Sequence, residues 1–449
     1  MKRIITIIIG LIFIVSVFSA CSAKEEAEIP INVEQPSDSS RTAMAPFQMA
    51  NSIYRDGAGN SAGFYTLRRN SDRDHEDMSR NILYIDYATK KQVYLCAQPN
   101  CSHDDDFCTS WIAPYYGEVV LAIAGDTLAV FYNGTMPRID LMNLNGDNRR
   151  NLCTFNDGIR ISTIAAYNEQ YFALSVDKYF PDDEGNVKYT QTLCAIDINT
   201  GEQITVYSHV PETTDPTLAG NSDLTFMGVT DTGFIMSLTV MCEFDYNENP
   251  EITFENMAKA TKRDIMVIPF DGSEVRTLLS YTDYKPCAFV AAGKHLFYFS
   301  SMNGIVQLLK IDAATGDATI IIENIANTAP ETGITVETIS LIDITPYIIN
   351  DRLVVTYRYS STATEAIYTC LSIDINTGEL QEITLSYYYY AIKSPLPILA
   401  QFGDNLLVYA KAQEIDDGRA MPFIQLTPAI ISADDYLASN PNFDWIETV

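Results

Sequence analysis

The chain has 449 residues, of which 47% are hydrophobic, enough to bury a large core and too apolar for a disordered polymer. Its 29 basic against 58 acidic residues give a formal charge of −29, and no cluster of Lys and Arg supplies the positive surface that a phosphate backbone requires. Nucleic acid is therefore excluded as a partner.

In chain order, Met1-Lys2-Arg3 is a short basic stretch, and Ile4 to Ala20 is uncharged and apolar, ending in Phe18-Ser19-Ala20-Cys21. This resembles a bacterial lipoprotein signal, in which small residues precede a cysteine that is lipidated and becomes the mature N-terminus; Phe18 departs from the Leu usual there. The resemblance implies a signal peptide over 1–21, a lipidated (palmitate-bearing) Cys21, and a chain held by that lipid on the extracytoplasmic face of the cell membrane. Residues 22–46, with Lys24-Glu25-Glu26, Pro30, Pro36 and Ser37-Asp38-Ser39-Ser40, show no hydrophobic period and read as a disordered tether.

From Phe47 to the end, at 47–449, one pattern repeats. Residues 294–323 show it most clearly: an apolar strand through Leu296 to Ser301, the turn Met302-Asn303-Gly304, a strand through Val306 to Ile311, the turn Asp312 to Gly316, and the β-branched run Thr319 to Ile322. The second turn recurs at Ile85-Asp86-Tyr87-Ala88-Thr89, Leu144 to Asp147, Asp197 to Gly201, Phe270 to Ser273 and Asp374 to Gly378, with a degenerate copy at Gln425 to Pro428. An upstream turn recurs at Asp56-Gly57, Gly125-Asp126, Asn168-Glu169, Asp231 to Gly233, Gly293-Lys294, Asn350-Asp351 and Gly403-Asp404. A four-stranded sheet apolar on both faces must stack on copies of itself, so the spacing predicts an all-β protein: a β-propeller of four-stranded antiparallel blades, seven by this count, with six or eight admitted. The best helical pattern, Pro250 to Lys262, is a loop decoration.

If each blade runs from hub to rim, the long connections share one face: Arg69 to Arg80, Ala97 to Trp111, Asp177 to Tyr189, Glu243 to Arg263, Tyr359 to Ala366 and Lys411 to Arg419. Binding tends to reside on such loops. Acidic candidates there are Asp104, Asp105 and Asp106, then Asp182, Asp183 and Glu184, and Asp416 and Asp417. Solvated hairpin tips account for the same charges.

The sharpest local feature is Cys96-Ala97-Gln98-Pro99-Asn100-Cys101-Ser102-His103-Asp104-Asp105-Asp106-Phe107-Cys108. Cys96, Cys101, His103 and Cys108 form a Cys3His set that suits zinc, at a spacing outside the usual zinc fingers. In an oxidising compartment two of these thiols would instead pair, and free thiols are a third reading. Each makes this crossing between blades a pinned structural element. Cys194 and Cys370, both just before an Ile-Asp turn, read as small core residues.

This segment, with Leu83-Tyr84-Ile85-Asp86 before it and a lipoprotein signal ahead of both, resembles a group of uncharacterised lipoproteins from anaerobic Gram-positive bacteria. That resemblance implies a TolB-like or tandem-repeat propeller outside the cytoplasm and carries no established activity.

Enzyme signatures are scarce. Ala195 to Gly201 matches the hairpin of quinone-dependent propellers, but the chain has 2 Trp where those proteins dock one per blade. No Ser-His-Asp pattern, phosphate-cradling Gly loop or His-Glu-x-x-His helix is present in the sequence. The expectation is a monomeric, non-catalytic module that binds a protein, glycan or envelope component on its long-loop face without a cofactor, zinc apart. A carbohydrate-active enzyme using channel-mouth carboxylates is the alternative.

Overall fold

The computed structural model describes residues 43–51, 57–70, 78–156, 158–181, 187–209, 222–241, 261–282, 288–302, 305–325, 339–362, 365–389, 392–415 and 423–449. A short strand, β1 (Gln48–Met49), precedes the first blade. Blade 1 is β2 (Gly57–Gly59), β3 (Gly63–Arg69), β4 (Arg80–Asp86) and β5 (Lys91–Tyr94), with β6 (Trp111–Ile112) also on β4. Blade 2 is β7 (Gly117–Ala124), β8 (Thr127–Gly134), β9 (Arg138–Asn143) and β10 (Arg150–Thr154). Blade 3 is β11 (Ile159–Tyr167), β12 (Tyr171–Pro181), β13 (Val187–Asp197) and β14 (Gln203–His209). Blade 4 is β15 (Ser222–Val229), β16 (Gly233–Met241), β17 (Thr261–Pro269) and β18 (Arg276–Thr282). Blade 5 is β19 (Ala288–Ala292), β20 (His295–Met302), β21 (Ile305–Asp312) and β22 (Ala318–Ile322). Blade 6 is β23 (Ile339–Ile349), β24 (Arg352–Thr362), β25 (Glu365–Asp374) and β26 (Leu380–Ile383), followed by a hairpin of β27 (Ser386–Tyr389) and β28 (Ile392–Pro395). Blade 7 is β29 (Ile398–Phe402), β30 (Asn405–Ile415) and β31 (Phe423–Ser432), then α1 (Ala433–Leu437) and β32 (Asp444–Trp445). All seven blades are antiparallel and form a ring.

The alternation of apolar residues explains the stacking. In β20, Leu296 and Tyr298 face blade 4 while Phe297 and Phe299 face blade 6, and all four are buried. Seven such clusters fill the seven joints between blades. The joint of blades 7 and 1 is closed by Phe64, Ile85, Leu399, Leu407 and Ile430, with Tyr87 stacked on Phe402 at 3.6 Å between ring centroids.

The recurrent turn has a local cause and a long-range one. Locally, its Asp accepts the backbone N–H groups two and three residues on: Asp312 Oδ1 from Ala314 (2.8 Å) and Thr315 (3.1 Å), and Asp374 Oδ1 from Asn376 (2.9 Å) and Thr377 (2.8 Å). The closing glycine is left-handed, at φ 81° for Gly316 and 75° for Gly378. Blade 1 puts Lys90 in that place at φ 56°. The long-range cause is docking against the previous blade: a Cβ on Gly201 would lie 2.4 Å from the Leu152 carbonyl oxygen, and one on Gly378 would lie 2.9 Å from that of Ile321.

These bonds hold the Asp312 and Asp374 carboxyls below their ordinary value, the N–H of Ala314 and of Thr377 respectively being the largest cause. A folded-state value below the unfolded one stabilises the ring above the unfolded carboxylate value, and that stabilisation is lost as pH falls through the folded value. Asp312→Ala and Asp374→Ala are each expected to lower Tm at pH 7, by a margin that shrinks as pH falls through the depressed folded-state value, read by thermal melts across pH.

Several sequence expectations need correction. The first turn of blade 1 is not at Asp56-Gly57 but after it, where the Asn60 side chain accepts the N–H groups of Ala62 (2.9 Å) and Gly63 (3.1 Å). Gln425 to Pro428 lies inside β31, and α1 with the chain after it replaces the tight turn of blade 7. Three of the expected long loops are mostly extended hairpin: β12 pairs with β13 out to Pro181 and Val187, β24 with β25 to Thr362 and Glu365, and β30 with β31 to Ile415 and Phe423. Strand pairing is local, so the polar hairpin tips look like loops in sequence. Residues 250–260 of the helical pattern lie outside the described residues, and Thr261 and Lys262 open β17.

Among the described residues, the four main strands of each blade come from one continuous stretch. Two straps serve the ring as well. Residues 44–51 run across blades 4, 3 and 2: Met44 N–H donates to Phe270 (2.7 Å), Phe47 packs on Phe234 and Phe270, β1 pairs with β11, and Ala50 and Asn51 bond to both Ala165 and blade 2. At the other end Ile446 is buried in the joint of blades 7 and 1, and Glu447 pairs in parallel with Lys91 on the free edge of β5.

Candidate functional site

The cysteine-rich segment is not a crossing between blades. It is an excursion within the outer strand of blade 1: β5 pairs with residues 83–86 of β4, and the same edge resumes at β6, which pairs with Arg80 and Asn81. Both ends of the excursion meet on one residue. Leu95 N–H donates to the Ile82 carbonyl (2.9 Å), and Ile82 N–H donates to the Ser110 carbonyl (2.8 Å). The result is an Ω-loop with a closed neck. Thr109 Oγ donates to the Leu95 carbonyl (3.2 Å) and accepts Ala97 N–H (3.3 Å), and Asn81 Nδ2 reaches both Ser110 Oγ (2.9 Å) and the His103 carbonyl (3.2 Å).

Inside the loop, one donor atom each from Cys96, Cys101, His103 and Cys108 lie within 4.8 Å of one another. His103 Nδ1 is 3.3 Å from Cys108 Sγ. A tetrahedron with Zn–S of about 2.3 Å and Zn–N of about 2.0 Å has edges of about 3.5–3.8 Å, so the four atoms stand close to where such an ion would hold them. Asn100 and His103 are both left-handed, at φ 59° each, which turns the chain twice within a few residues so that the donors converge.

Backbone donors point at the sulfurs. Gln98 N–H donates to Cys96 Sγ and His103 N–H to Cys101 Sγ, each at 3.4 Å, the arrangement that offsets negative charge on a thiolate. Burial pushes the Cys96 thiol up, but the N–H of Gln98, the Cys108 thiol, the N–H of Thr109 and the Cys101 thiol outweigh it, leaving Cys96 below its ordinary value. Burial holds Cys108 up at about 11 against its contacts with Ser110. The Tyr94 ring stacks on the His103 imidazole at 4.2 Å and 12°.

Cys96, Cys101 and Cys108 are free thiols in the structure. Elsewhere Cys194 and Cys370 are 1% exposed in the core, as expected, and burial pushes Cys153 and Cys194 up to about 12. Alkylation of metal-free protein at pH 8 is accordingly expected to modify Cys96 ahead of Cys108 and to leave Cys153, Cys194 and Cys370 intact without denaturant, as read by peptide mass spectrometry.

Of the acidic candidates, Asp104, Asp105 and Asp106 border the donors. Asp105 caps the loop locally by accepting Phe107 N–H (3.1 Å), and Asp104 accepts the Ser102 hydroxyl. Asp182, Asp183, Glu184, Asp416 and Asp417 lie outside the described residues, as does Cys21. Sequence reading missed Tyr94, Asn81, Thr109 and Ser110. Thr109 and Ser110 adjoin Cys108 and were the one accessible signal; Asn81 reaches the loop only through the sheet.

No family model matches the chain, and no curated protein matches it. Solved structures do. A Mycobacterium tuberculosis puromycin-hydrolyzing peptidase matches at 9% identity and TM-score 0.50, over 90% of this chain and 57% of its own. A Pyrococcus horikoshii acylaminoacyl peptidase matches at 13% identity and TM-score 0.44, over 87% and 52%. The β-propeller domain of a Pyrococcus furiosus trilobed protease matches at 10% identity and TM-score 0.41, over 87% and 99%.

The chain has the fold of a seven-bladed β-propeller, a fold these solved structures share. It spans about half the length of the peptidases named first. These neighbours, mostly peptidases, overturn the expectation of a non-catalytic scaffold module. The sequence reading went astray because it weighed missing catalytic motifs within this chain and had no view of what such rings accompany.

Proposed function

We propose that the protein binds one zinc ion through Cys96, Cys101, His103 and Cys108, and that the ion is structural. The observation that carries this is the convergence of four donor atoms within 4.8 Å on a loop whose neck is closed by hydrogen bonds at both ends. Four protein donors complete a tetrahedron, which leaves no position for substrate or a reactive water. Three thiolates and a neutral imidazole around a dication carry one net negative charge, which the N–H donors of Gln98 and His103 offset. Native mass spectrometry of protein purified under reducing conditions is expected to show one zinc per chain, with none in Cys101→Ser. Full occupancy in that variant would refute the assignment.

A second reading concerns what the ring serves. The peptidases it resembles contain a further half of chain, and on that basis we propose that this ring handles peptides in a peptide-processing system. Incubation with a peptide mixture, followed by mass spectrometry of bound and cleaved species, is expected to show retention or cleavage of peptides; a ring that does neither contradicts the reading.

For location we propose the address read from residues 1–21. Among the described residues no helix is long and apolar enough to cross a membrane. A radiolabelled fatty acid is expected to be incorporated into the full chain and not into Cys21→Ser.

A further inference from the structure

The Ω-loop does more than occupy an edge. The strand that enters it, β5, is four residues long and is the strand on which the ring's C-terminal strap lies. Gln92 N–H donates to the Glu447 carbonyl (2.8 Å), and Glu447 N–H donates to the Lys90 carbonyl (2.9 Å). Lys90 pairs with Asp444 (2.8 Å) and Lys91 with Glu447 (3.2 Å), but both pairs are largely exposed and hold little by themselves. Two residues after Gln92 stands Tyr94, whose ring covers His103 and whose hydroxyl accepts from Arg68 Nη1 (3.4 Å). The same Arg68 nitrogen donates to the carbonyl of Val449 (3.1 Å). A continuous path therefore runs from the metal donors through His103, Tyr94 and Arg68 to the last residue of the strap.

The loop reaches the opposite joint as well. The turn of blade 2 abuts its neck, where a Cβ on Gly146 would lie 2.7 Å from the Leu95 carbonyl oxygen, and Arg149 donates to the Trp111 carbonyl (2.7 Å).

From this juxtaposition we infer that the ion at Cys96, Cys101, His103 and Cys108 controls closure of the ring: loading it fixes the end of β5 and the Tyr94–Arg68 contact, and so holds the C-terminal strap across the joint of blades 7 and 1. This rests on the metal reading above. A short edge strand frays readily when nothing anchors its end. The neck bonds at Ile82 anchor one side of that end, and the ion anchors the other. Without the ion the His103 imidazole loses its anchor, Tyr94 lies on a looser surface, and the strap keeps its two backbone bonds to β5, its exposed ion pairs and the buried Ile446.

The test is hydrogen exchange at the Gln92 and Glu447 amides of the full chain, with zinc and after chelation, with zinc content read in parallel by native mass spectrometry. The expected result is at least a tenfold faster exchange of both amides in the chelated protein. Arg68→Met, at an exposed position, should keep one zinc per chain while exchange at Glu447 no longer responds to it. Zinc bound with unchanged exchange at both amides overturns the inference and leaves the metal site standing. No zinc bound removes the metal site and the inference together.

Discussion

Chelating the metal is expected to lower the melting temperature of the full chain by about 4 °C, and restoring zinc to recover it. An ion that binds only the folded ring at about a thousandfold above its dissociation constant contributes roughly 4 kcal/mol, and a chain of this length loses about 1 °C for each kcal/mol. Cys101→Ala should melt where the chelated parent melts and should not respond to zinc. Equal melting of loaded and chelated protein would mean that the loop holds its shape through Ile82, Thr109 and Asn81 alone. Magnesium at the same concentration should do nothing, because three thiolates and an imidazole are a donor set for a thiophilic ion.

Gly201→Ala is expected to destabilise by roughly 3 kcal/mol, whereas Gly316→Ala should cost about 1 kcal/mol. The two glycines occupy equivalent positions in the turns of blades 3 and 5, at φ 76° and 81°, so each variant bears the same backbone strain from the added side chain. The surroundings differ. A Cβ at 201 would meet the Leu152 carbonyl oxygen at 2.4 Å, which is backbone of the neighbouring blade, while one at 316 meets nothing within 4 Å. Thermal melts of the two variants side by side separate the two causes. Equal losses would show that these glycines serve local turn conformation alone, and that docking between blades is not what the repeated turn is for.

Much of the ring was legible because its signals are local. The Asp-x-x-x-Gly turns announce themselves through a carboxylate that bonds two N–H groups within three residues, as at Asp312 and Asp374. The doubly apolar strands, with Phe297 and Phe299 on one face and Leu296 and Tyr298 on the other, require neighbours on both sides. The last turn of blade 7 was misplaced at Gln425 to Pro428 because α1 and the following chain replace it, so no Asp-Gly spacing marks it. The four donors at Cys96, Cys101, His103 and Cys108 were visible as a set, but their setting was not. Strand β6 is two residues long, and nothing in Trp111-Ile112 tells a reader that it resumes the edge β5 left at Tyr94. The straps are equally silent: Gln48 finds Tyr167, and Glu447 finds Lys91, across nearly the whole fold.

Titration with cobalt(II) tests the central claim most directly. The account predicts saturation at one ion per chain, with thiolate-to-cobalt charge-transfer absorption and the strong visible bands of a tetrahedral site, displaced by one equivalent of zinc and absent from His103→Ala in their full intensity. Reduced protein that takes up no cobalt, or that shows the weak spectrum of octahedral oxygen ligation, would contradict it.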